Sequence, residues 1–308
     1  MNSCNWYVSG GTKMRVTEKQ RFVLSQLRIG KQRVRQIKLT EQLSSGIRVN
    51  RPSDDSIAAK KVSVLQTEYS RIEQYQKNVE AAHRLLTVAD HTVGESSNTL
   101  FRLKEIAIRG LNSSMTPSDR NNLAEEIATL RDHMMTLANT RTENRYIFGG
   151  YAMSTPPYDN AFNFVGDTNT TSIAVGDSSL VKATIPGGSA FGDGTAATVD
   201  VFDNINQLET AVRLGIEVDM QNELERLEES IEQGIEARRF IGLQLSRVEA
   251  SKTILAYKDT ELRAGMAQLK DVDFTSAVSQ LKVVENALQA TIATSSRLMK
   301  GTSLLDYL

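Results

Sequence analysis

Leu65 to Gly110 reads LQTEYSRIEQYQKNVEAAHRLLTVADHTVGESSNTLFRLKEIAIRG. Within it Leu65, Ile72, Val79, Leu86, Val93, Leu100 and Ala107 recur every seven residues without a break. Three residues after each come Glu68, Tyr75, Ala82, Ala89, Ser96, Leu103 and Gly110, so the second stripe is apolar only in part. Seven-residue spacing keeps one seam turned toward a partner helix as the two supercoil. A helix from Asp54 to Gly110 would be ~85 Å long at the α-helical rise, far beyond the ordinary globular helix. The seam therefore calls for long partners, not the core of a compact bundle.

Working outward, Gly46 follows Leu43, Ser44 and Ser45 and can take the left-handed conformation that ends a helix. Pro52 disfavours helix at its predecessor. Ser53 is then the expected cap of the long helix, with Asp54 and Asp55 placed against its positive end. Thr116 and Pro117 repeat the device, with Asp119 three residues after the cap. Leu123, Ile127, Leu130, Met134 and Leu137 continue from there in steps of four and three, predicting a second, antiparallel helix.

Between Ile147 and Val212 the composition changes. One basic residue, Lys182, stands against seven acids in these 66 positions. Short β-branched stretches, Ser172–Val175, Leu180–Ile185 and Thr198–Phe202, are divided by glycine turns at Gly187–Gly188 and Gly192–Gly194, which predicts a small β-rich insert. Helical spacing returns with Leu224, Leu227, Ile231, Ile235, Ile241, Leu245, Val248, Leu255 and Leu262, and again with Phe274, Val278, Leu281, Val284, Leu288, Ile292 and Leu298. The expected fold is mainly α with a small β-rich insert: a long antiparallel coiled-coil-like bundle of paired N- and C-terminal segments. The expected layout joins 14–50 to 264–308 as terminal helical arms and 51–146 to 204–263 as a helical bundle, with 147–203 an outward-facing β-rich domain. Residues 1–13, MNSCNWYVSGGTK, contain the lone cysteine and lone tryptophan and no signal-peptide apolar run, so Met14 is the expected natural start.

Composition excludes several classes of function. One cysteine supplies neither a disulfide framework nor a thiolate zinc site, and no apolar run is long enough to span a membrane. Chemical motifs are near misses. Gly187 and Gly192 have phosphate-loop spacing, but Asp193 stands where that loop needs lysine. Ser179 and Lys182 form an isolated S-x-x-K without its companion motifs. Asp167, Asn169 and Thr171 begin like a calcium loop that Ser172 and Ser178 break. His83 and His91 are eight residues apart and His133 lies on another helix, which does not make a zinc site. Glu228 and Glu229 read as solvated helix charge. No catalytic, cofactor-binding or metal site is expected, and no enzyme.

One charge feature remains. Met14 to Arg51 holds ten basic residues and two acids, among them Arg28, Lys31, Arg33, Arg35 and Lys38. Val23, Leu27, Val34 and Ile37 run through it at helical spacing, favouring a packing helix with a basic face over a nucleic-acid arm.

Leu43 to Asp55, LSSGIRVNRPSDD, resembles the N-terminal motif of the bacterial flagellin superfamily. Ile241 to Glu249, IGLQLSRVE, followed by Asp271-Val272-Asp273, resembles its C-terminal signature. Arg145 to Tyr158, RYIFGGYAMSTPPY, and Ser303 to Leu308, SLLDYL, resemble the hook–filament junction branch more than flagellin itself. The resemblance implies a secreted, extracellular structural subunit exported unfolded by the flagellar type III system. Its implied partners are its own copies in a homo-oligomeric ring, hook-associated protein 1 on the hook side, flagellin on the filament side and an export chaperone. Neither nucleic acid nor membrane insertion is implied. The expected assembly interface lies on the terminal helices: Val23, Leu27, Val34 and Ile37 against Leu281, Leu288, Ile292 and Leu298, within or between subunits. Phe274 and Val278 belong to the same seam, and Leu304 and Leu305 to an apolar terminus.

Overall fold

A computed structural model describes residues 18–112, 114–195 and 198–300. Met14, Leu304 and Leu305 lie outside the described residues, as does the side chain of Leu298. The helices are α1 (Glu18–Ser45), α2 (Ser56–Gly110), α3 (Pro117–Ala138), α4 (Gly188–Phe191), α5 (Val201–Leu214), α6 (Glu217–Lys270) and α7 (Phe274–Lys300). The strands are β1 (Arg141–Thr142), β2 (Arg145–Tyr146), β3 (Ser172–Gly176) and β4 (Ser179–Lys182), paired antiparallel as β1–β2 and β3–β4. The fold is mainly α with a small sheet insert, as the sequence predicts. The chain divides into two compact units, Met1–Thr67 with Leu262–Leu308, and Glu68–Glu261.

In the second unit the heptad stripe is the core. Ile72, Val79, Leu86, Val93, Leu100 and Ala107 are all buried, and so are Ala82, Ala89, Ser96 and Leu103 of the companion stripe. Polar side-chain contacts show which helix faces them, and in which direction. Lys104 reaches Glu228 at 2.7 Å, Arg238 reaches Asp90 at 3.2 Å, and His83 meets Glu249 at 3.2 Å. Numbers fall on α2 as they rise on α6, so the two run antiparallel. The α6 seam is Met220, Glu223, Leu227, Ser230, Gly234, Ala237, Ile241, Gln244 and Val248, stepping by three and four, with Leu255 one heptad further on. Small side chains bring the helices close: a Cβ on Gly234 would stand 3.2 Å from the Ser97 hydroxyl of α2. Ile235, expected in this seam, is instead 46% exposed, because the register that buries Ser230 and Gly234 turns the neighbouring residue outward.

Thr116 caps α3 as expected. Its hydroxyl accepts from the Asp119 amide and the Asp119 carboxylate accepts from the Thr116 amide, a reciprocal capping box with Pro117 in the first helical position. Arg102 of α2 pairs with Glu126 of α3 at 2.7 Å. Arg131 of α3 pairs with Glu209 of α5 at 2.7 Å. Thr198–Phe202 is not a strand. Asp200 accepts hydrogen bonds from the Phe202 and Asp203 amides, so Val201 and Phe202 form the first turn of α5.

The insert packs on an aromatic cluster, where Tyr158 lies 5.0 Å from Phe202 and Phe148 meets Phe191 edge-on at 5.3 Å. The β3–β4 hairpin rests on the long helices: the Asn78 side-chain Nδ2 donates to the Ala174 carbonyl at 2.7 Å, and the Lys182 backbone amide donates to Gln244 Oε1 at 3.3 Å. Two of the near-miss motifs close turns. Asp193 accepts from the hydroxyls of Thr195 and Thr198, both at 2.6 Å, which closes a turn and holds its carboxyl below the usual range. Asp167 accepts from the Asn169 amide at 3.0 Å in another short turn.

Candidate assembly interface

The first unit is built on the two terminal helices and the turns that lead into and out of them. Gly46 ends α1 with φ +70°, a left-handed conformation that a Cβ would strain. That conformation sends the chain back toward the end of α6. The Arg48 amide donates to the Lys270 carbonyl at 2.7 Å, and its guanidinium donates to the Leu269 carbonyl at 2.8 Å. The last carbonyls of a helix have no partners within it and carry the negative end of its dipole, so a cation here answers both needs. Ile47 bridges Asp271, and the Val272 amide donates to the Gly46 carbonyl at 3.0 Å. LSSGIRVNRPSDD is thus a clasp joining the α1–α2 turn to the α6–α7 turn.

Within the clasp the cap of α2 differs from expectation. Ser53 lies in a turn closed by Asp54, whose carboxylate accepts from the Arg51 amide at 3.0 Å. Asp55 does the capping, accepting from the Ala58 amide at 2.9 Å. Both carboxyls are held below the ordinary carboxylate value. For Asp54 the main cause is its hydrogen bond with Lys38, then the Arg51 amide; for Asp55 it is the Ala58 amide, then Arg48. On the other side Asp273 caps α7, accepting from the Ser276 amide at 3.1 Å.

Beyond the clasp, α1 lies along α7, and the Ser25 hydroxyl hydrogen-bonds the Ser295 hydroxyl. The inward line of α1 is Ser25, Ile29, Gln32, Gln36, Leu39 and Leu43, all buried or half-buried at steps of four and three. The facing line of α7 is Ala277, Leu281, Val284, Leu288, Thr291 and Ser295. This seam is thin: of these only Leu39, Ala277 and Val284 are fully buried, and Gln32 Oε1 is buried without a hydrogen-bond partner.

Leu281 and Leu288 therefore lie half-buried in the intramolecular seam. The expected α1 partners are not in it. Val23, Leu27, Val34 and Ile37 are 48%, 56%, 67% and 65% exposed, forming a second apolar line on the outer side of the helix. Phe274, Val278 and Ile292 are likewise exposed on α7. Helical spacing alone fits both lines of α1, and the more apolar one proves to be the outer. What sequence reasoning missed is the polar inner line, with serine and glutamine where a seam ordinarily has leucine.

A family model described as the bacterial flagellin N-terminal helical region matches residues 24–152, from α1 through the β1–β2 hairpin. Flagellar hook-associated protein 3 of Salmonella typhimurium is 25% identical, over 95% of this chain and 99% of its own length. The likeness to flagellar proteins thus runs over nearly the whole chain. Flagellin of Bacillus subtilis is 24% identical over 83% of this chain and 88% of its own. Among solved structures, a putative flagellar hook-associated protein from Vibrio parahaemolyticus matches 71% of this chain and all of its own with a TM-score of 0.66. At 18% identity that likeness is one of fold.

Proposed function

We propose that this chain is the subunit that joins hook to filament in the bacterial flagellum, assembling through the outer faces of its terminal helices. The observation that carries this reading is the near-complete mutual coverage with hook-associated protein 3 of Salmonella typhimurium. The α1–α7 pair supports it: a two-helix arm with one thin seam and exposed Val23, Leu27, Val34, Ile37, Phe274 and Val278 needs neighbours to be stable. Val34 and Ile37 are then inter-subunit contacts, while Leu281 and Leu288 hold the arm together. Export as an unfolded chain through the type III apparatus, with a chaperone, puts the protein outside the cell. There its copies form a ring between hook-associated protein 1 and flagellin.

Electron microscopy of a deletion strain tests it. Hooks without filaments, with flagellin shed into the medium, are expected. Hooks that still carry filaments would overturn the junction reading. The second reading, a filament subunit, is favoured by the likeness to Bacillus subtilis flagellin; it predicts no flagellin left to shed.

A further inference from the structure

A closed ring of more than two copies needs two different surfaces on each copy, because every contact in it is heterologous. The second unit carries two exposed apolar surfaces of opposite charge. One is the turn between α5 and α6. Gly215 ends α5 at φ +71°, and a Cβ there would run into the Arg120 guanidinium. The Gly215 and Ile216 amides both donate to the Ala211 carbonyl, at 2.9 and 3.1 Å, and the Met220 amide donates to the Ile216 carbonyl at 3.1 Å. Val212 and Met220 are buried on either side of the turn, where a Cβ on Gly110 of α2 would lie 3.3 Å from a Val212 methyl and 3.4 Å from the Met220 sulfur. The backbone is thus fixed, yet Leu214 and Val218 are nearly two-thirds exposed and Ile216 is exposed with them. Glu217 and Asp219 stand among them with no ion pair among the described residues. The dipole of α6 favours acids in its first turn, but it gives no reason for the apolar side chains in water. Single apolar residues on a surface are ordinary; three within five residues on a rigid turn mark a contact.

The other surface lies where β4 meets α6. Val181 is buried, so its neighbours Leu180 and Lys182 share the outward face of the strand, and Leu180 is nearly two-thirds exposed. The Lys182 ammonium lies 5.8 Å from the centre of the Phe240 ring, a cation over an aromatic face. Leu243, one turn further along α6, is exposed. Arg247, a turn beyond that, is exposed with no ion pair among the described residues. Lys182, the lone base of the insert, therefore stands with Arg247 at the rim of an apolar patch of Leu180, Phe240 and Leu243.

We propose that the α5–α6 turn of one copy docks on the Leu180–Phe240–Leu243 patch of the next copy, with Glu217 and Asp219 facing Lys182 and Arg247. This rests on the reading that copies of the chain form a ring, and names the two surfaces that close it. Apolar burial holds the contact, while the exposed charges set its orientation and disfavour wrong pairings.

Cross-linking in intact flagella tests it. Val218 and Leu243 are 25 positions apart on one helix, about 37 Å, so a short cross-linker joins them only between copies. The V218C/L243C chain, in a C4S background that removes the other thiol, should give a ladder of dimers and higher multimers with a short bismaleimide. V218C or L243C alone should stay monomeric. No ladder from assembled flagella, or equal cross-linking by a single-cysteine chain, overturns the docking. Charge reversal is the independent check should the cysteines impair assembly. E217K/D219K and K182E/R247E should each cut swimming to a small fraction of wild type while secretion stays normal, and combining them should restore it. A combined variant that swims no better than either parent also overturns the docking. Flagella that assemble without a ladder leave the junction reading standing, because that reading falls only if filaments persist on the hooks of the deletion strain.

Discussion

Arg48 shows how one residue ties the two ends of the sequence together. Its backbone and guanidinium hydrogen-bond the last carbonyls of α6, and its charge lies 3.1 Å from Asp55, the cap of α2. Arg48→Ala removes the guanidinium bonds from a half-exposed site, and unit stability is expected to fall by about 1–2 kcal/mol in chemical denaturation. Gly46→Val should cost a similar ~1–2 kcal/mol, because a β-branched residue is strained at positive φ. Acid acts on the same clasp. Asp54 and Asp55 are held below their ordinary value of 3.8, so their contribution is present above about that pH and is lost as pH falls through the lower folded-state values. Hydrogen exchange at the Arg48 and Val272 amides should accelerate below pH 3.8 beyond its intrinsic pH dependence, and the D54N/D55N variant should lose that extra acceleration. An unchanged acid response in the variant would place the sensitivity elsewhere. This clasp was only partly legible in the sequence. Gly46 and a cap near Pro52 could be read from local rules, but Ser53, Asp54 and Asp55 are all good caps. The choice of Asp55 is sealed by Arg48 and Lys38, contacts that no local rule contains.

At the level of elements, α2 was readable because its buried stripe is apolar and unbroken, and α6 was less so because its seam is not. Glu223, Ser230, Gly234 and Gln244 are buried there among aliphatic neighbours, and an apolar-periodicity reading follows Ile235 instead. Two substitutions separate these readings. Gly234→Leu forces a side chain toward Ser97 in a close helix contact and should cost about 1–3 kcal/mol. Ile235→Ala, at an exposed position, should leave thermal stability unchanged within about 0.5 kcal/mol. Circular dichroism melts of both variants decide the register; a larger loss from Ile235→Ala would contradict it. Thr198–Phe202 failed for a related reason. Val201 and Phe202 have strand propensity, yet Asp200 offers its carboxylate to two amides and starts a helix that buries both residues.

For the whole molecule, the question is which apolar residues serve the monomer and which serve the assembly. α1 carries two lines of residues at the same spacing, so periodicity could predict a helix with a packing stripe but not the line facing α7. Burial separates them. Leu288 is half-buried on the line of α7 that faces α1, whereas Val34 and Ile37 are about two-thirds exposed. An acidic side chain at Leu288 would be desolvated against the partner helix, so Leu288→Asp should loosen the arm in the isolated chain by about 1–3 kcal/mol. At Val34 and Ile37 the same change leaves the carboxylate in water. V34D/I37D should therefore match wild type in melting temperature and in hydrogen exchange along α1 and α7. In cells it should be secreted at normal levels, yet leave filaments unattached and flagellin in the medium. The pair of variants thus distinguishes folding from assembly within one pair of helices. If V34D/I37D swims normally, the outer line of α1 is not an interface. If it instead melts early, that line belongs to the monomer's own core.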